Sequence, residues 1–151
     1  GVAKVQLPAI AFPCVNISGA GMMGEMEVPL YGMVSNMTTT ITWLTPHGDA
    51  VKLMSPKKHQ LDMRVAEEYW DVEQADVGLW ADKYVMIVRP KTTTPGTVAP
   101  MASADTSGEY VVYYFAAYKN GEQLWEVDKR NMRCVILGVD YMAEVRKALG
   151  K

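Results

Sequence analysis

Alternation of apolar and polar residues governs much of this chain. In Met37–Leu44, the residues Met37, Thr39, Ile41 and Trp43 alternate with Thr38, Thr40 and Thr42. A period of two rich in β-branched types predicts a strand with one buried face. Leu61–Trp70 begins the same way, with Leu61, Met63 and Val65 against Asp62 and Arg64, before the pattern blurs at Glu67 and Glu68. Trp80–Arg89 is apolar on both faces over Tyr84–Val88, and Tyr110–Tyr118 is one unbroken apolar run. Lys119-Asn120-Gly121-Glu122 follows, then Gln123–Asp128, in which Trp125 and Val127 alternate with Leu124 and Glu126. Asn-Gly between two strands predicts a tight type I′ hairpin, because both central residues take positive φ.

Two short helices are expected. Thr45 can cap one that starts at Pro46 and stops before Pro56, with Val51 and Met54 on one side. Asp140 can cap the last, with Met142, Val145 and Leu149 facing inward and Gly150 just beyond its end. Between the strands, Lys91–Gly108 carries no large side chain except Met101 and has no periodicity. It predicts a long loop, either a loose surface insertion or an arm that orders against a neighbour.

The 151 residues suit one domain and one core, spanning 1–151. No internal repeat or boundary is visible. The chain opens on Gly1 rather than Met, as expected of a processed or truncated chain, and shows no signal peptide. A net charge of −2 gives no basic stripe for gripping nucleic acid. No apolar run is long enough for a membrane-spanning helix. Cys14 and Cys134 are far apart and read as free thiols in a reducing compartment. The only histidines, His47 and His59, cluster with no metal-ligand set, so neither metal nor cofactor is expected.

Three patterns invite a chemical reading and fail it. Gly19-Ala20-Gly21-Met22-Met23-Gly24 spells G-x-G-x-x-G, but a dinucleotide site needs a helix next, and Glu25–Val28 alternates like a strand before Pro29. A glycine-rich turn is the better reading. Ser55-Pro56-Lys57-Lys58 matches S-x-x-K without its companion motifs, and Pro56 spoils the helix it needs. Lys52, Lys57 and Lys58 read as a solvated basic face. Glu67 and Glu68 are adjacent in a strand, point to opposite faces, and cannot work as an acid/base pair. No catalytic constellation emerges, and the chain does not read as an enzyme.

Tyr110–Tyr118 instead raises the question of cover. Strict alternation puts Tyr110, Val112, Tyr114, Ala116 and Tyr118 on one face and Val111, Tyr113, Phe115 and Ala117 on the other. Both faces then need burying, and one core supplies one cover. Tyrosines suit a subunit contact, since they bury area and keep a polar tip. Methionines Met22, Met23 and Met26 cluster at the glycine turn and pack adaptably in a core or a self-interface. Candidate contact residues are therefore Gly19, Gly21, Met22, Met23, Met101, Tyr110, Tyr114 and Tyr118.

Two blocks of residues carry a resemblance. Val5-Gln6-Leu7-Pro8 with Ser18-Gly19-Ala20-Gly21-Met22 form one; Tyr118–Glu122, Glu126-Val127-Asp128, Asn131-Met132 and Gly138-Val139-Asp140 form the other. The chain resembles the major tail tube proteins of contractile-tailed phages and of R-type tail-like bacteriocins. That resemblance implies a mainly β fold, with two packed antiparallel sheets in a sandwich or barrel-like arrangement and one or two short helices. It implies a structural subunit of the inner tube. Hexameric rings of this subunit, with strands joined in one inner barrel, would stack into a hollow conduit that a contracting sheath drives through the target envelope. Partners would be further copies, the sheath, and baseplate and tail-terminator proteins. DNA would be passing cargo, with no stable membrane association. Assembly would occur in the bacterial cytoplasm, giving a phage tail or tail-like particle. The fold is also similar to the ring-forming tube protein of type VI secretion. Members of the tail tube family usually carry a further segment, about one strand, ahead of the position of Gly1. The alternative is a monomeric β-sandwich binding or adhesion module, distinguished by a signal peptide and a monomeric state.

Overall fold

The computed structural model describes residues 2–19, 21, 23–30, 32–44, 48–102 and 104–150. Met22 and the expected cap residues Thr45 and Pro46, with His47, lie outside the described residues. In chain order the strands are β1 (Val2–Gln6), β2 (Cys14–Ser18), β3 (Glu25–Pro29), β4 (Met37–Trp43), β5 (His59–Asp71), β6 (Asp76–Thr94), β7 (Thr106–Lys119), β8 (Glu122–Asp128), β9 (Arg133–Ile136) and β10 (Val139–Asp140). Two short helices, α1 (Gly48–Lys52) and α2 (Ala143–Ala148), complete the elements. The fold is mainly β, with two antiparallel sheets and two short helices; the sheets do not close into a barrel within the subunit.

One strand organises the larger sheet. β7 pairs with β6 along one edge. On its other edge, β4 takes Thr106–Val112 and β8 takes Tyr114–Lys119. β1 lies outside β4, β9 and then β10 lie beyond β8, and β5 lies outside β6. β2 and β3 form a separate two-stranded ribbon, exposed over nearly all its length. Gly19, Gly21, Met23 and Gly24 lie between these two strands, so the G-x-G-x-x-G run has a strand and not a helix after it.

The core lies on one face of the larger sheet. Met37, Ile41 and Trp43 of β4, Met86 and Val88 of β6, Tyr110, Val112 and Phe115 of β7, and Val127 and Cys134 form a single buried cluster. Ala50 of α1 and Met142 belong to it, and Ile10, Phe12, Val34 and Leu53 pack against it. Phe115 meets Trp125 edge to face at 5.5 Å between ring centres, a favoured aromatic geometry.

Strict alternation along β7 does not hold. The register passes from Ile87↔Tyr114 to Val88↔Val112, which leaves Tyr113 as an extra residue. A bulge of this kind shifts the side-chain phase by one. Tyr110 and Val112 therefore share the core face with Phe115, while Tyr114 and Tyr118 turn to the other. Tyr110 is fully buried inside the subunit, and the expectation that it forms a subunit contact is corrected: it is a core residue. Its ring covers Gly108, where a Cβ would collide with the phenol.

Three boundaries differ from expectation. The long loop is shorter than Lys91–Gly108, because β6 runs to Thr94 and pairs with Ser107. Threonines 92–94 are β-branched and extend the ladder past Pro90, which sits next to a second bulge where a proline is tolerated. The remaining loop, residues 95–105, is pinned by Thr106 Oγ1 donating to Pro95 O (2.7 Å) and Thr97 N to Ala104 O (2.8 Å). Asp140 does not cap α2; it lies in β10, accepts from Met142 N, and pairs with Arg146, which lowers its pKa. Met142 is buried as expected, but Leu149 is exposed, because α2 ends one residue before it.

Candidate assembly interface

The β5–β6 hairpin is longer than the sheet that supports it. β6 first meets β7 at Asp82↔Lys119, whereas its pairing with β5 continues to Asp71↔Asp76. Residues 66–81 thus project as a two-stranded arm. The blurred pattern at Glu67 and Glu68 reflects this: these residues pair with Trp80 and Leu79 where the sheet is only two strands wide. Opposite orientation of the two glutamates, read from the period of two, is what this register gives.

The root of the arm is fastened twice. Asn120 N donates to Ala81 O at 2.8 Å, and Ala81 N donates to Asn120 Oδ1 at 2.9 Å. On the adjoining face, Lys119 Nζ lies 4.7 Å from the Trp80 ring centre and 3.3 Å from Glu67 Oε2. Asp82 is buried beside them, and its Oδ1 has no hydrogen-bond partner among the described residues. Burial, then the hydrogen bond and the charge of Glu67, push the Asp82 carboxyl above its usual range, against the pull of Lys119. Farther out, the Tyr69 ring lies over Gly78 and 5.1 Å from Trp80.

Beyond that root the arm carries a row of apolar side chains that nothing among the described residues covers. Tyr69, Trp70, Val72, Val77 and Leu79 are all exposed, Val72 by 81%. A lone two-stranded hairpin is marginal in water, and an apolar surface of this kind marks an interaction site. The outer edge of β5 adds a row thirteen residues long that pairs with no strand among the described residues, a template for another strand. The sequence reading missed the arm as a contact element, although its signal was present in the apolar residues that continue past Val65.

The expected contact residues are spread over the molecule. Gly21 (φ +88) and exposed Met23 lie in the β2–β3 turn with Gly19. Met101 stands fully exposed on the 95–105 loop with φ 57. Tyr114 and Tyr118 are half-buried on the non-core face of the large sheet, where Tyr114 Oη donates to Glu126 Oε2 (3.1 Å) and Gln123 Nε2 donates to the same carboxylate at 3.0 Å. That face is polar and cross-paired: Asp62 faces Arg64 and Lys83 at 3.8 Å each, and Arg133 faces Glu126 at 3.4 Å. No group of three metal-ligating side chains occurs among the described residues.

Exposed strand edges, the apolar row on the arm and an unclosed sheet are, among the described residues, the surfaces left for a further strand to cover. A family model described as phage tail tube protein FII matches residues 1–150. The chain belongs to the phage tail tube protein FII family. No curated protein matches it in sequence. As a tail tube protein it is a structural subunit of a phage tail, and its function is to assemble with other tail components into the tube. The sequence blocks around Gly19–Gly21 and Tyr118–Asp140 fall within this match.

Proposed function

We propose that this tail tube protein closes with its own copies into hexameric rings that stack inside a contractile sheath. The observation that carries this is the unpaired outer edge of β5, continuous with the projecting arm. Edge strands are hazards unless paired, and a ring in which each large sheet pairs with the next removes them. A single closed barrel would result, although each subunit's sheet is open.

The non-core face suits the lumen of that barrel. Its carboxylates and cations neutralise one another across the strands, as in Asp62–Lys83 and Glu126–Arg133. Phosphate contacts from lysine and arginine dominate affinity for nucleic acid, so the stretch of wall where the cations are paired lets DNA pass without holding it, with Lys58, Arg89 and Arg130, unpaired among the described residues, lying at its end. The protein works as a conduit with no catalytic role. Its neighbours would be sheath, baseplate and terminator proteins, and its particle a phage tail, or a tail-like bacteriocin, assembled in the bacterial cytoplasm.

Negative-stain electron microscopy of the purified protein tests this reading. Stacked six-fold rings with an open channel are expected. A protein that stays monomeric at high concentration would sink it.

A further inference from the structure

The arm and the opposite end of the same hairpin carry opposite charge. Residues 66–81 contain Glu67, Glu68, Asp71, Glu73 and Asp76, and neither lysine nor arginine. Glu67 is paired with Lys119, and the Asp71 and Asp76 carboxylates accept backbone amides of the arm's own turn. Glu68 and Glu73 have no cationic partner among the described residues. Val72 and Glu73 form the tip, where Ala75 has φ 49.

At the far end lies a cleft of about 260 Å³ lined by Lys58, Arg89, Tyr113 and Arg130. Lys58 immediately precedes β5, and Arg89 follows the Val88↔His59 pair, so both mark the end of the β5–β6 ladder opposite the arm. Tyr113 reaches the cleft because it is the bulged residue of β7. Arg130 is brought there by the β8–β9 turn, which is tied to Tyr113 O by Lys129 N at 3.1 Å. None of the three cations has a carboxylate partner among the described residues. The nearest acid on that turn, Asp128, spends its carboxylate on Arg130 N, Asn131 N and Asn131 Nδ2. Three unpaired cations around one tyrosine, in a chain of net charge −2, form a socket for a carboxylate-bearing surface.

The arm of the same molecule cannot fill it. From Lys58 to the arm tip the strand runs roughly 40 Å along an antiparallel ladder. We propose that the acidic tip of the arm of one copy docks, end to end, into the cation-lined cleft of a second copy. Donor and acceptor lie at opposite ends of one rigid ladder, so the contact is heterologous and repeats from copy to copy. The proposal rests on the reading of the chain as a self-assembling tube subunit and gives that assembly its direction.

Charge reversal with rescue tests it on the full-length chain. Glu68→Lys with Glu73→Lys reverses the arm's two free carboxylates, the first near its root and the second at its tip; Lys58→Glu with Arg89→Glu and Arg130→Glu reverses the cleft. Each variant alone is expected to associate at least tenfold more weakly in sedimentation, and an equimolar mixture to recover wild-type association. In the wild-type protein, a carbodiimide is expected to join Glu73 of one copy to Lys58 of another. Restored association in the mixture, or that cross-link, supports the docking. Folded variants that do not rescue each other, with no such cross-link in the wild type, overturn it. Microscopy of the same samples separates the two readings. Rings and tubes that persist in both variants overturn the docking and leave the tube reading standing. The cross-link in particles that never form tubes overturns the tube reading alone.

Discussion

Asn120 holds Ala81 by two hydrogen bonds, one through its backbone N–H and one through its side-chain oxygen. A turn residue chosen for its own backbone geometry thereby fastens the arm at the point where it leaves the sheet. Asn120 (φ 50) and Gly121 (φ +80) both adopt the left-handed conformation that the Asn-Gly pair predicts. Lys119↔Glu122 closes the turn.

Gly121→Val should destabilise the subunit by about 1–2 kcal/mol, since a β-branched residue is strained at positive φ. A fall in Tm of several degrees is expected in calorimetry. Asn120→Ala should cost about 2 kcal/mol, from one lost hydrogen bond and an alanine held at positive φ. It should also speed amide exchange in residues 66–81 ahead of the rest of the sheet. Equal exchange across the sheet would contradict the role of Asn120 as the arm's fastening.

Asp82 and Asp140 should give stability opposite pH dependences. The Asp82 carboxyl has a raised pKa, so its contribution is full below its usual value of 3.8 and fades as pH rises through the folded one. Asp140 is lowered, chiefly by the Arg146 hydrogen bond, so its contribution is present above 3.8 and fades as pH falls through the folded value. Urea midpoints measured across this range should lose their mildly acidic gain in Asp82→Asn and their acid-side loss in Asp140→Asn.

Tyr110→Phe should leave stability unchanged or slightly raised. The Tyr110 hydroxyl is buried with no partner among the described residues, and removing an unpaired polar group costs nothing in hydrogen bonds. Phe115→Ala, by contrast, removes a fully buried ring from the centre of the core and should cost about 3–5 kcal/mol. Denaturant unfolding of both variants checks the pair.

Deleting residues 98–103 should leave the subunit folded and stop ring stacking. The exposed Val98 and Met101 are the loop's large apolar side chains, and the hydrogen bonds that close the loop lie at Pro95–Thr97 and Ala104–Thr106. Tubes of normal length from the deletion variant would show that the loop takes no part in stacking.

Local chemistry alone determined the strands from β3 to β8, the Asn-Gly hairpin, the absence of a helix after the glycine run, and the opposite faces of Glu67 and Glu68, but not β2, β9 or β10. Each depends on a few neighbouring residues: a period of two, a pair suited to positive φ, a proline. The family was also legible, in the blocks at Ser18–Met22 and Tyr118–Asp140. Tertiary structure decided what depends on a partner strand. The bulge at Tyr113 exists because β6 and β7 fall out of register there, and it alone separates buried Tyr110 from half-buried Tyr114. The arm exists because β7 stops at Lys119 while β5 and β6 continue, and no property of residues 66–81 fixes where β7 ends. The cation-lined cleft gathers Lys58, Arg89, Tyr113 and Arg130 from four separate stretches, and only long-range pairing, whose register no local pattern encodes, brings them together.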